Sequence, residues 1–264
     1  NFDSFYLGNL FILNLFFRKM NSKYFITSLP DLGKLYFKKY NNNCTFIYIF
    51  HSLASAHFQY NRDAFDNYDV ILCSGPHHLK EMRESEKYYN TKRKKLYKYG
   101  YPRLEEIKKN KTNKVINKNK IILVAPSWGP NSITNLCIKD ILENLITNNF
   151  KIIYRPHTMS LIKDKKIIDQ ILKKYLKFDN FEFDNSNSSF NNMLKADLMI
   201  ADWGSTAADF TLGLDKPIIF INTPPKIINK DFKNIFSLAF ESQIRNEIGQ
   251  IIDIDNLSDL SKTI

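Results

Sequence analysis

Two of the chain's five histidines stand where a reactive imidazole would be useful. His51 directly follows Thr45–Phe50 (TFIYIF), a β-branched and aromatic run that predicts a strand buried on both faces. At such a strand end an imidazole suits a general base acting on a hydroxyl, although a ring that only satisfies neighbouring backbone fits as well. His157 closes Arg155-Pro156-His157, directly after Lys151–Tyr154 (KIIY). Arginine is a planar fork for phosphate oxygens, proline stiffens the loop, and His157 can donate to a phosphate or protonate a leaving group. Alone, the same tripeptide also fits a helix-capping loop with a surface imidazole.

A second group is suited to anions. Asp202-Trp203-Gly204-Ser205-Thr206 lies between an apolar strand and a helix. Ser205 or Thr206 can cap that helix, whose free N–H groups carry roughly half a positive charge. Gly204 permits close backbone approach to a phosphate. The bland alternative is an ordinary helix cap with no ligand. Ser127 lies in the loop APSWGP after KIILVA (120–125), and Ser74, His77 and His78 follow DVILC (69–73) at a helix start. There an acceptor phosphate could dock, or the two histidines could simply be exposed.

Positioning these residues requires the elements around them. From Lys23 onward the chain alternates strand, loop and helix. Strands are predicted at 23–28, 45–50, 69–73 and 95–99, with helices from Asp31 to Tyr40 and from His77 to Tyr97. Between Glu105 and Lys120 the composition turns to Lys and Asn, which reads as a solvated linker. The pattern then restarts, with strands at 120–125, 151–154, 197–201 and 216–221 and helices at 135–147, 161–176 and 207–214. Such alternation predicts an α/β fold of parallel sheets with helices on both faces. The two series predict two Rossmann-like domains facing a cleft: residues 1–104 on the acceptor side, a linker at 105–119, and a nucleotide-donor domain at 120–264. Ligands of such sheets bind beyond the carboxyl ends of the strands. His51, Ser74, Ser127, His157, Asp202 and Ser205 all fall just past predicted strands.

The bulk properties narrow the partners. A net charge of +11 invites a polyanion, though much of the lysine reads as solvated surface. The basic 105–120 stretch lacks interleaved aromatics and argues against nucleic acid. The three cysteines, Cys44, Cys73 and Cys137, show neither metal-type nor disulfide spacing, which fits a reducing cytoplasm. Phe5–Phe17 is strongly apolar but shorter than the about 20 residues of a spanning helix, so it reads as a buried helix or an interfacial one. The chain starts at Asn1, as expected of a fragment of a longer protein. Walker, GxGxxG, HExxH, zinc-finger and GxSxG patterns are absent from the sequence, and no acidic cluster suits a divalent cation, so a metal-free, cofactor-free transfer is expected.

Taken in order, HSLAS after an apolar strand, APSWG, YRPH and DWGSTAADFTLGLDKPIIF resemble the CDP-glycerol:poly(glycerophosphate) glycerophosphotransferase family. The similarity runs from about Phe46 to Ile221. It implies a GT-B-like fold with a CDP-alditol donor, CDP-glycerol or CDP-ribitol, on the C-terminal domain. It further implies Arg155 and His157 on the donor pyrophosphate, Ser205 and Thr206 on its phosphates, and Ser127 on an adjoining loop. His51 would be the base for the acceptor hydroxyl, attacking the phosphorus nearest glycerol and releasing CMP. The acceptor would be a lipid-linked or polymeric teichoic-acid or capsule-type chain, extended at the cytoplasmic face of an anionic membrane. Three features depart from the family pattern: HSLAS in place of HG with a nearby lysine, Trp128-Gly129-Pro130 in place of an aromatic-basic pair, and the segment NTPPKIINKDF. Two other functions fit the same residues: a GT-B glycosyltransferase or UDP-sugar 2-epimerase, and a non-catalytic module binding anionic polymer or membrane.

Overall fold

The computed structural model describes residues 3, 8, 10–34, 37–40, 43–111, 120–186, 188–236 and 238–264. The first 101 residues hold α1 (Leu10–Lys19), β1 (Tyr24–Thr27), β2 (Thr45–Ile49), α2 (Ala56–Gln59), β3 (Val70–Cys73), α3 (Pro76–Tyr88) and β4 (Lys95–Lys98). Next come α4 (Pro102–Lys109), β5 (Ile121–Val124), α5 (Ile133–Leu136), α6 (Ile138–Thr147), β6 (Lys151–Tyr154), α7 (Thr158–Lys163), α8 (Lys165–Tyr175) and β7 (Phe181–Phe183). They are followed by α9 (Phe190–Lys195), β8 (Leu198–Ala201), α10 (Thr206–Leu214), β9 (Ile218–Asn222), α11 (Phe232–Ile235), α12 (Phe240–Ile248), β10 (Gln250–Asp253) and α13 (Leu260–Thr263). Two compact units result: residues 1–101 with 227–240, and residues 102–226 with 241–264.

The first unit is a parallel sheet in the order β1-β2-β3-β4. Along β2, Phe46 and Tyr48 are fully buried while Thr45, Ile47 and Ile49 are half-buried, so the strand alternates rather than being sealed on both faces as its apolar run suggested. The sealed face carries an aromatic core in which Tyr48 meets Phe50, Phe65 and Tyr68 at ring distances of 5.0, 4.9 and 5.2 Å. The helix expected over 31–40 does not form among the described residues of that stretch; 35 and 36 lie outside them. Asp31 instead adopts φ 65° and Gly33 φ 98°, with the Asp31 amide bonded to Ala64 O and its carboxylate paired with Lys34 at 2.8 Å.

The second unit is a six-stranded, all-parallel sheet ordered β10-β9-β8-β5-β6-β7. Counted from β5, this is the doubly wound order 3-2-1-4-5-6. Alternate strand residues feed two cores. Ile122, Val124, Ile152, Tyr154 and Ile200 pack with Ile141, Leu145 and Ile171 of α6 and α8. Leu123, Ile153, Met199 and Phe220 face Ile107, Met193 and Phe210 of α4, α9 and α10. Helices therefore cover both faces, as the buried runs KIILVA and KPIIFI predict.

Residues 102–111 differ from the expected linker, because α4 docks on α10. Ile107 is 2% exposed and touches Gly213, and Arg103 Nε binds Asp209 Oδ2 at 2.7 Å. The remainder of the expected linker, 112–119, lies outside the described residues. The helices expected at 135–147 and 161–176 are each two pieces, broken at Cys137 and Asp164, whose φ/ψ values leave the helical region. The strands β7 (FEF) and β10 (QIID) lie outside the predicted set; at three and four residues they are too short to give a clear periodic signal.

Candidate functional site

The second sheet reverses its winding between β5 and β8, the switch point beyond whose carboxyl ends sheets of this kind bind ligands. Asp202 joins the two loops that border it. Its side chain is 1% exposed; Oδ1 accepts the amides of Ser127 and Trp203, each at 2.7 Å, and Oδ2 accepts the Ile133 amide at 2.8 Å. Asp202 therefore pins the loops that carry Ser127 and Ser205.

Those loops are shaped for close approach. Gly129 has φ 109°, a conformation costly for any side chain. Gly204 has no such constraint, since an added Cβ would meet the Ser127 backbone at an ordinary 3.8 Å. Ser205 is the exposed N-cap of α10 and Thr206 its first residue. The Ser205 side chain makes no cap bond, so the amides opening α10 are not satisfied by it. Ser127 itself is buried.

His157 is the N-cap of α7. Its Nδ1 accepts the Met159 amide at 3.0 Å, which requires a lone pair on Nδ1 and leaves the proton on Nε2. Crowding by protein atoms, and secondarily the Lys226 ammonium, pushes its pKa down to about 4. At neutral pH the ring is therefore an uncharged donor through Nε2–H. Arg155 is already engaged: Nη1 binds Asp184 Oδ2 at 2.5 Å and Ser186 Oγ at 3.1 Å, and Nη2 binds Ser186 O at 2.9 Å. Burial would raise the Asp184 pKa, but hydrogen bonds from Ser186, Asn192 and Arg155 hold it at about 2. Arg155 thus braces the loop after β7 against the one carrying His157.

Three residues that sequence reasoning passed over belong to this region. Lys226 Nζ lies 3.6 Å and Lys163 Nζ 4.7 Å from the Trp128 ring centroid. Arg245 of α12 is 3% exposed, stacks on Trp203 at 4.0 Å and donates to Ile221 O at 3.2 Å. Only the Pro224-Pro225 pair before Lys226 hinted that this segment is extended.

In the first unit, His51 is exposed at the end of β2. Its pKa lies below the usual value because surrounding atoms disfavour the imidazolium, against a hydrogen bond to the Ser28 backbone. His78 is fully buried: Nδ1 accepts the Ser74 amide at 3.3 Å, Nε2 pairs with Ala54 O at 2.9 Å, and the ring stacks on Phe50 at 3.7 Å. His77 Nε2 pairs with Leu53 O at 2.9 Å, and its ring stacks on Phe240 at 4.3 Å. Simple exposure does not describe this pair, since His78 is buried and His77 half-buried. Together they fasten the loop after His51 to the start of α3, and Ser74 is buried beneath them.

The model of the CDP-Glycerol:Poly(glycerophosphate) glycerophosphotransferase family matches residues 55–225, starting just beyond His51. The minor teichoic acid biosynthesis protein GgaB of Bacillus subtilis (strain 168) is 24% identical over 206 residues, 67% of this chain. The chain spans 21% of GgaB. The wall teichoic acid polymerase TagF has a similar structure, with a TM-score of 0.52 at 18% identity over 91% of this chain and 64% of that one. A putative UDP-N-acetylglucosamine 2-epimerase from Listeria monocytogenes gives a TM-score of 0.55 at 9% identity, over 96% of this chain. These likenesses show a shared GT-B-like α/β fold.

Proposed function

The chain belongs to the CDP-glycerol:poly(glycerophosphate) glycerophosphotransferase family, and on that premise we propose that it moves glycerol phosphate, or a related alditol phosphate, from a CDP-linked donor to a hydroxyl of a teichoic-acid-type polymer. The observation that carries this reading is the switch point of the second unit. There Asp202 sets the β5 and β8 loops, while the His157 cap presents a neutral Nε2–H donor. Fixed donors of this kind stabilise a phosphoryl group as its charge redistributes, without reorganising during reaction.

In this reading Ser205, Thr206 and the amides opening α10 hold donor phosphates, with Gly204 giving access. The acceptor hydroxyl oxygen attacks the phosphorus attached to glycerol. The bond from that phosphorus to the oxygen bridging to CMP breaks, CMP leaves, and the hydroxyl proton passes to His51. The lowered pKa of His51 keeps it unprotonated and able to act as base near neutral pH. No metal is invoked; cations and N–H groups carry the charge stabilisation.

A lipid-linked acceptor and peripheral attachment at the cytoplasmic face of the membrane complete the proposal. Support comes from α1, whose Phe11, Ile12, Leu15 and Phe16 are 71, 50, 38 and 42% exposed and which ends in Arg18 and Lys19. Among the described residues no helix is long and apolar enough to cross a membrane. The test is CMP release from CDP-glycerol in the presence of polymer acceptor, with UDP-N-acetylglucosamine as the competing donor. CDP-selective turnover abolished by His51→Ala supports the assignment. Turnover of the UDP-sugar alone would transfer it to glycosyl chemistry.

A further inference from the structure

The lysines around Trp128 form an arrangement that a folded chain has no reason to build for stability alone. Lys163 is the last residue of α7, and Lys226 ends the extended segment after β9, yet both ammonium groups converge on one indole. The His157 ring lies 6.1 Å from the same indole. Neither lysine is in an ion pair among the described residues, and the one carboxylate that attracts Lys226, Asp202, is buried and also accepts three amides. A ring face contributes about 0.5–2 kcal/mol to each cation and fixes its place, but it neutralises no charge. The charge of exposed Lys163 disfavours that of Lys226, which is half-buried as well. A ligand carrying at least two negative charges would remove both penalties at once.

We propose that Trp128 is a rack that holds Lys163 and Lys226 beside His157 as a seat for a diphosphate group. Naming that group as the diphosphate of the nucleotide donor rests on the function proposed above; the seat itself rests on the side-chain geometry. The two ammoniums take the non-bridging oxygens, while the Nε2–H of His157 supplies a directional donor. Beside Trp128, Gly129 has open space where its Cβ would be. The seat places two cations in a chain whose Trp128-Gly129-Pro130 loop carries none.

The test is titration of the full chain with inorganic pyrophosphate, CDP and cytidine at low ionic strength, by calorimetry and tryptophan fluorescence. Lys163→Ala and Lys226→Ala are compared with Lys151→Ala, an exposed lysine at the amino end of β6. Pyrophosphate and CDP are expected to bind, cytidine to bind at least 10-fold more weakly than CDP, and each seat variant to lose at least 10-fold in affinity at unchanged Tm. Lys151→Ala should change affinity less than 2-fold. No pyrophosphate binding by the wild-type chain, unchanged affinity in both seat variants, or equal loss in Lys151→Ala would overturn the seat. Turnover of CDP-glycerol with wild-type KM in both seat variants would remove the seat and leave the proposed function standing. Pyrophosphate binding lost in the seat variants, with no turnover of CDP-glycerol, would keep the seat and remove the donor assignment.

Discussion

The Asp202 carboxylate holds the Ser127 amide at 2.7 Å across the switch point of the second sheet, although the two residues lie far apart in the chain. Its other oxygen takes the Ile133 amide, so one side chain sets the loops after β5 and β8 and the start of α5. Asp202→Asn keeps the shape but presents an NH2 group where amides must be accepted. A loss of on the order of 3 kcal/mol in unfolding free energy is expected, together with weaker CDP binding. Urea denaturation beside CDP titration checks it; unchanged stability would mean that the loops hold themselves.

His157 caps α7 through Nδ1, and in the proposed function it also donates through Nε2–H. His157→Asn can keep the cap, since asparagine is a strong N-cap residue, but it loses the longer-reaching donor. CMP release should fall about 100-fold or more with Tm nearly unchanged. His157→Ala should lose the rate and, in addition, about 1 kcal/mol of stability. Unchanged CMP release in His157→Asn would assign His157 to capping alone.

Buried His78 gives the first unit a pH-dependent stability. Burial, with repulsion from His77, lowers its pKa to about 4, so the folded state prefers the neutral ring. A depressed pKa contributes stability that is fully present above the unfolded value near 6.5 and lost as pH falls through the folded value near 4. The whole effect is on the order of 3 kcal/mol. Unfolding free energies from pH 7.5 to 4 should show this decline, and His78→Asn should flatten it while lowering stability throughout.

Gly213 reports whether α4 belongs to the second unit. Glycine to alanine inside a helix ordinarily stabilises by roughly 0.5–1 kcal/mol. Here the new Cβ would stand 2.6 Å from Ile107 Cγ2 and 3.3 Å from Leu104 Cδ1. Gly213→Ala is therefore expected to destabilise by about 1–3 kcal/mol through overpacking, and Ile107→Ala in the same chain should recover part of that loss. A stabilised single variant would show that α4 is not firmly docked.

Diphosphate affinity should fall as pH rises through about 8. Burial disfavours the Lys226 ammonium and Lys163 repels it, while Asp202 opposes them, leaving a pKa of about 8. The groups facing it are Lys163, Asp202, His157 and the Trp128 ring, and His157 is already neutral throughout that range. Pyrophosphate titrations between pH 6.5 and 9.5 should show the decline in the wild type and a flatter profile in Lys226→Ala.

The sequence by itself determined the parallel α/β class and where the candidate residues fall relative to the strand ends. Both rest on local information: β-branched runs such as KIILVA and KPIIF, turn residues at their ends, and helical periodicity between them. It also determined family membership, because APSWG, YRPH and DWGST keep their order and spacing. Only the tertiary structure decided what those residues touch. Nothing in DWGST reveals that Asp202 faces inward to three amides, or in RPH that Arg155 is bonded to Asp184 and Ser186. His77 and His78 hold a loop more than twenty residues earlier in the chain, and Lys226 meets Trp128 from the far side of β9. Such pairings depend on strand order, and crossovers bring together side chains whose separation in sequence carries no trace of the contact.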